Sequence, residues 1–283
     1  MPRIARRAIA AAGAAALALT LAACASTPGD SSTGAASSGE YITQGKLTIG
    51  TSDPAYYPWV IDNAPESGKG FESAVAYAVA EQLGFAKEDV VWVRTTFEQA
   101  IAPGAKDFDI NIQQFSITDE RKQNVDFSSP YYETTQVVIT TKNSKAAGAT
   151  SIADLAGFLI GAQTGTTSLQ AIEDQIKPTA GAQVFNTNDD AKLALENGTV
   201  DALVVDLPTA FYLTGAELTD GLIIGQLPAV AGSTGDQLGL VLAHGSPLTA
   251  KVTAAVDALR DNGTLASLAS TWLADSADAP VLK

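Results

Sequence analysis

Arg121 is the residue whose type and position best suit it to chemistry. It closes Ser-Ile-Thr-Asp-Glu-Arg121, where a predicted strand runs into a short predicted helix. Thr118 is able to cap that helix through its hydroxyl, and Asp119 and Glu120 suit the positive end of a helix dipole, whereas a cation one residue later does not. A guanidinium held there, beside the hydroxyls of Ser116 and Thr118, is able to turn back over the strand end and grip a carboxylate through two parallel bonds. The competing reading is a solvated arginine paired with a neighbouring acid.

The other reactive residue types suggest less. Asp206 ends the apolar run Val200–Val205 with Pro208 two residues on, the pattern of a helix cap. Glu72, beside Phe71 at a predicted helix start, reads as a solvated or dipole-stabilising acid. His244 is the only histidine and Cys24 the only cysteine, so neither a metal cluster nor an internal disulfide is expected. No Gly-x-x-x-x-Gly-Lys-Ser/Thr loop is present, so any ATP hydrolysis belongs to a partner. No cofactor is called for.

The elements that must position Arg121 alternate. Lys46–Thr51 reads as a strand ending in an aromatic, proline-rich turn over Ser52–Trp59, which suggests a ligand-facing loop with Trp59 in the core. Phe71, Val75, Val79 and Leu83 recur every four residues and Gly84 stops them, predicting an amphipathic helix. Val90–Val93 is a second strand, a short helix follows Phe97, and Phe108–Gln113 is a third strand. Strand, helix, strand, helix, strand is the pattern of an open parallel sheet with helices on its faces. It recurs with strands at Gln136–Thr140, Phe158–Gly161, Gln183–Phe185 and Val200–Val205, and with a helix from Asp189 to Asn197 that Gly198 stops. Leu238–Leu242 is a further strand. Val252, Val256, Leu259 and then Leu265, Leu268, Trp272 and Leu273 mark two closing helices.

The first 23 residues stand apart. Arg3, Arg6 and Arg7 precede an Ala- and Leu-rich run from Ile9 to Leu21, too short for a membrane span and flanked like a secretory signal. Leu-Ala-Ala-Cys24 resembles a bacterial lipobox, which implies cleavage before Cys24 and a lipid on it. Residues 24–45 then form a tether, rich in Ser, Gly and Thr up to Glu40. Of 283 residues, removal of the first 23 takes away three arginines and no acid, moving the formal charge from −14 to −17. So acidic a body excludes nucleic acid and anionic membrane surfaces as direct partners. Lipid would hold it to the membrane.

From Lys46 to Trp272 the chain resembles the polar amino-acid-binding family of ABC-transporter solute-binding proteins. The resemblance rests on several blocks in order: Ser-Ile-Thr-Asp-Glu-Arg121 with Val-Asp-Phe-Ser-Ser-Pro-Tyr-Tyr132, Gln-Thr-Gly-Thr-Thr167, Val-Asp-Ala-Leu-Val-Val-Asp206, and Leu-Arg-Asp-Asn-Gly-Thr-Leu265 before Trp272. It implies a two-lobe periplasmic-binding-protein-like α/β fold: lobe one over 46–130 and 235–283, lobe two over 137–229, hinges at 131–136 and 230–234. It also implies roles. Arg121 matches the clamp for a ligand α-carboxylate, helped by Ser116 and by the turn at Thr164, Gly165, Thr166 and Thr167, whose N–H groups open a helix and favour an anion. Asp206 matches the acceptor of the α-ammonium, in addition to capping. Tyr56 and Phe97 match aromatic walls, and Asp53 an acid near the ligand side chain.

One departure concerns that side chain. Many relatives have small residues before the Ser-Ile-Thr motif, and this chain has Gln113 and Gln114. On an extended strand Gln114 shares parity with Ser116 and is expected to face the cleft, a twist or bulge at Phe115 reversing this. With Asp53 and Tyr56 it favours glutamine-like or basic amino acids over acidic or branched apolar ones. The function expected is that of a monomeric, non-catalytic lipoprotein on the outer face of the bacterial cytoplasmic membrane, delivering a polar amino acid to an ABC permease with its ATPase subunits. The alternatives are an enzyme on the same scaffold, of the cyclohexadienyl dehydratase type with Asp53 or Glu72 as its extra acid, and a ligand sensor without transport.

Overall fold

The computed structural model describes residues 40–229, 235–273 and 279–283. In chain order the first part supplies β1 (Leu47–Thr51), α1 (Phe71–Gln82), β2 (Val90–Arg94), α2 (Phe97–Ile101), β3 (Ile110–Asn111) and β4 (Val125–Phe127). Then come β5 (Tyr132–Thr134), β6 (Gln136–Thr141), α3 (Ile152–Leu155), β7 (Ile160–Gln163), α4 (Thr167–Ala171), β8 (Gln183–Phe185), α5 (Asn188–Glu196), β9 (Ala202–Asp206), α6 (Leu207–Tyr212) and β10 (Gly221–Gln226). The chain ends through β11 (Asp236–Leu238), β12 (Val241–Ala243), α7 (Thr249–Asp261) and α8 (Thr264–Trp272).

Two five-stranded sheets result, ordered β2-β1-β3-β12-β4 and β10-β6-β9-β7-β8, with a two-stranded ribbon of β5 and β11. The expected parallel pairing holds for β1 with β2 and β3, and for β7 with β8 and β9. The strands next to the crossings run the other way: β12 is antiparallel to β3 and β4, and β6 is antiparallel to β9 and β10. Each sheet is therefore mixed, because the chain leaves and re-enters each lobe at the ribbon. β5 and β11 pair antiparallel from Tyr132 with Leu238 to Thr134 with Asp236. This ribbon overlaps the expected hinge at 131–136. The second expected hinge, 230–234, and the signal, Cys24 and the tether up to residue 39 lie outside the described residues.

Each sheet carries its own core. Leu47, Ile49 and Ile110 meet Phe71, Val75 and Val79 of α1 and Val252, Val256 and Leu259 of α7 on one sheet. On the other, Ile160, Val204 and Ile172 pack on one face, and Val137, Leu203 and Leu195 on the opposite face. The predicted stripes of α1 and α7 are the buried ones, since apolar residues every three to four positions line one side of a helix. Trp59 is fully buried in the first core, as expected. The C-terminal stretch differs from the expected assignment of 235–283 to lobe one. Val281 bridges Gln226 of β10, Leu282 enters the second core, and Lys283 O accepts from Ile152 N at 3.1 Å. Gly225 permits this return: a Cβ there would lie 2.6 Å from Pro280 O.

Local signals account for the short elements. Thr96 and Gln99 form a reciprocal capping box that starts α2 directly after β2, satisfying N–H groups a five-residue helix leaves open. Thr166 caps α4 through Leu169 N at 3.1 Å. Gly70, before α1, has φ +98°, and a Cβ on it would come within 2.5 Å of Trp59 O. Gly70→Ala is therefore expected to cost roughly 1–3 kcal/mol in conformational strain alone. A lower urea midpoint at unchanged m value would register it.

Candidate functional site

A cavity of ≈ 250 Å³ lies between the two sheets' strand ends. From the first lobe it is lined by Asp53, Tyr56, Phe97, Gln113, Gln114, Ser116 and Arg121. The second supplies Thr164, Thr166, Thr167 and Asp206, the last at the end of β9. All the residues expected at a ligand site line it except Gly165. That glycine takes part from behind, since its carbonyl accepts from Arg121 Nη2 at 2.8 Å.

Arg121 begins a 3-10 turn, Arg121–Gln123, whose N-cap position is Glu120 and not the expected Thr118; the Thr118 hydroxyl accepts from Arg121 N–H at 3.2 Å just before it. The guanidinium turns back as expected. Nη1 donates to Ser116 O at 2.7 Å, and the planar group lies 5.3 Å from the centroid of the Phe97 ring. Arg121 is only 7 % exposed. Burial lowers its pKa to about 10, opposed first by Asp236 and then by Asp206, so it stays cationic at neutral pH.

Asp206 stands at the N-cap position of α6, and no side-chain capping bond is formed there. The expected dual role is thus corrected: its carboxylate turns from the helix to the cavity, where Oδ1 accepts from Gln136 Nε2 at 2.8 Å. Burial, and next the charge of Asp236, raise its pKa to about 7. The Thr164–Thr167 turn lines the cavity with hydroxyls and, as expected, opens a helix, α4.

Two expectations fail around α1. β3 ends at Asn111, so no extended strand sets the parity of Gln113 and Gln114. Gln114 has φ +49°, its N–H donates to Glu72 Oε1 at 2.7 Å, and its side-chain amide also bonds Glu72. Gln113 is the more deeply buried of the two, lines the cavity, and leaves its Oε1 without a hydrogen-bond partner. Glu72 is not solvated: it is fully buried and also accepts from the Tyr131 hydroxyl. Burial lifts its pKa to about 7 against those three donors.

The sequence does not point to several residues in the cavity wall or bonded to it. Glu98, at the start of α2, accepts from Thr164 Oγ1 at 3.2 Å across the cleft. Gln136 joins Asp206 to Asp236 and Ser168. Thr209 accepts from Trp59 Nε1 at 3.0 Å. Glu98 follows Phe97 directly and was findable; Gln136 was visible only as a strand residue. Asp53 sits in the wall with Asn63 Nδ2 donating to it at 3.2 Å. Tyr56, with Asp189 beside its hydroxyl, is kept neutral mainly by burial.

The sequence matches the model of the bacterial extracellular solute-binding proteins, family 3, over residues 47–275. It is 30% identical over 226 residues to the L-arginine-binding protein of Pseudomonas aeruginosa, covering 75% of this chain and 82% of that one. The fold is similar to an ancestral arginine-binding protein bound to arginine, with TM-score 0.67, 30% identity, and coverage of 81% and 98%. It is also similar to an ancestral amino acid-binding protein that is a precursor of cyclohexadienyl dehydratase, at TM-score 0.66, 30% identity, and coverage of 81% and 95%. The chain belongs to family 3 of the bacterial extracellular solute-binding proteins.

Native pKa values of about 7 for Glu72 and Asp206 lie above those of the unfolded chain. The ligand-free native state then binds more protons near neutrality, so its stability should fall as pH rises from 6 to 8. Urea midpoints across this range test it, and Glu72→Gln should flatten the slope.

Proposed function

We propose that this family 3 protein captures a polar amino acid, glutamine-like or basic and best of all cationic, between its lobes and delivers it to an ABC importer. The observation that supports the cationic class is the charge of the lining. Asp53, Glu98 and Asp206 contribute three carboxylates, and Arg121 is the only cation among the described lining residues. With a ligand α-carboxylate on Arg121 and its α-ammonium on Asp206, the zwitterion uses one charge of each sign. Asp53 and Glu98 remain, and they favour a positive side chain and oppose an acidic one. The unpartnered carbonyl of Gln113 adds an acceptor, again suited to a donor-rich side chain.

The lobes open and close around this site in the proposed cycle. Arg121 and Asp206 belong to different lobes, so a ligand touches both only in the closed form and shifts the population toward it. The chain acts without catalysis. Of the two acids the dehydratase alternative could use, Glu72 is enclosed by Gln114 and Tyr131, Asp53 in the wall is assigned here to the ligand side chain, and similarity to the dehydratase's precursor is similarity to an amino acid-binding protein. Lipid on Cys24 completes the proposal, holding the exported protein at the outer face of the cytoplasmic membrane.

Calorimetry on free amino acids tests the ligand class: arginine, lysine, histidine or glutamine should bind, and strongest binding of glutamate, aspartate or leucine would reject it. Arg121→Ala should weaken the best ligand by about 2–5 kcal/mol, the range for truncating one member of a buried charged pair. Arg121→Lys should be weakened too, having lost the bidentate fork. Mass spectrometry of the exported protein should find diacylglyceryl-modified Cys24 as the first residue, and an intact Met1 would refute that part.

A further inference from the structure

The ribbon between the lobes carries an acid that the proposed clamp does not use. Asp236, the first residue of β11, has its Oδ2 2.8 Å from Gln136 Nε2 and 3.4 Å from Ser116 Oγ. The same Gln136 nitrogen is 2.8 Å from Asp206 Oδ1. Its orientation is fixed at the other end, where Gln136 Oε1 accepts from Ser168 Oγ at 2.6 Å. An amide nitrogen has two N–H groups, and its two shortest bonds here go to the two different carboxylates, with Thr167 Oγ1 farther off at 3.3 Å. Ser116 Oγ is in turn 3.0 Å from Thr167 Oγ1. The chain Asp206, Gln136, Asp236, Ser116, Thr167 thus runs from β9 and β6 of lobe two through β11 of the ribbon into lobe one and back.

We propose that Asp236 is a positioning residue of the ligand site: through the shared amide of Gln136 it orients the Asp206 carboxylate, and it holds a second negative charge close to that carboxylate. The inference rests on the reading of Asp206 as the seat of an α-ammonium and adds to it a dependence on protons. The groups facing Asp206 are Glu72 of α1, Tyr131 and Tyr132 at the start of the ribbon, Arg121, and Asp236. After burial, Asp236 is the largest influence holding the proton on Asp206, and Arg121 is the only cation opposing it. A protonated Asp206 has lost the charge that attracts an ammonium. Acid therefore loosens the grip, and Asp236 sets how mild that acid need be.

The sign is unusual for a site variant. Asp236→Asn keeps the shape and removes the charge, so Asp206 should ionise at lower pH, and tight binding should persist into more acidic solution. Calorimetric titration of the full-length protein with arginine, or with the best amino acid of the panel, between pH 5 and pH 8 reads this. Wild-type affinity should fall as pH drops through about 7, and in Asp236→Asn the midpoint of that fall should move down by roughly one pH unit, the scale of a close like-charge effect. At pH 8 the variant should bind somewhat more weakly, because Gln136 then holds one carboxylate in place and not two. Asp236→Ser, smaller and still polar, should shift the midpoint in the same direction. A midpoint unmoved in both variants, with binding merely weaker at every pH, overturns the inference and leaves the capture of amino acids standing. Wild-type affinity independent of pH over this range overturns it as well, and failure of every amino acid to bind overturns both readings together.

Discussion

The guanidinium of Arg121 is a cation taken almost wholly out of water, and much of the structure serves to make that tolerable. Removing an ion from solvent costs several kcal/mol even after relaxation. The compensation comes from both lobes: Ser116 O and Gly165 O accept its protons, Phe97 lies beside its plane, and Asp206 and Asp236 supply opposite charge. Each of these has its own local requirement. Ser116 is delivered by the loop that leaves β3 early, and Gly165 needs a turn at φ +69°. Asp206 must end β9 with its side chain off the helix it precedes, and Asp236 must open the ribbon. Any ligand carboxylate enters a place already shaped by the need to neutralise this one group.

How much of this was legible in the sequence depended on whether the information was local. The pairing of Arg121 with the Thr118 hydroxyl could be read because the two are three residues apart, and the structure bonds them. The apolar stripes of α1 and α7 were legible for the same reason. Glu72 was misread because its partners, Gln114 and Tyr131, lie 42 and 59 residues away, and a lone acid at a helix start offers no hint that the fold will close over it. Gln114 does line the cavity, but strand parity is not the reason, since the strand ends at Asn111. Asp236 and Gln136 meet across 100 residues and come together only once β5 and β11 pair. The C-terminal residues escaped for a topological reason: nothing in Ala279–Lys283 says which of two sheets it will join.

Among the described residues, the seam between the lobes is made of a different material from the lobes themselves. Each sheet has its own buried apolar clusters. Contacts that cross the cleft include Trp59 to Thr209, Ser116 to Thr167, Thr164 to Glu98, Arg121 to Gly165, Gln136 to Asp236, and the tilted contact of the Tyr57 and Tyr212 rings at 4.7 Å. Hydrogen bonds of this kind exchange with water and contribute about 0.5–1.5 kcal/mol each, whereas burial of a single large apolar side chain contributes about 1.5–3 kcal/mol. An apolar seam of the same extent would lock the lobes together whether or not a ligand was present. A polar one would leave open and closed forms close in free energy, so that in the proposed cycle the few contacts a zwitterion adds to Arg121 and Asp206 are enough to decide between them. In the proposed cycle the acidity of the remaining wall would then select among zwitterions, because the side chain would meet Asp53 and Glu98 in the same closing movement that seats its carboxylate and its amine.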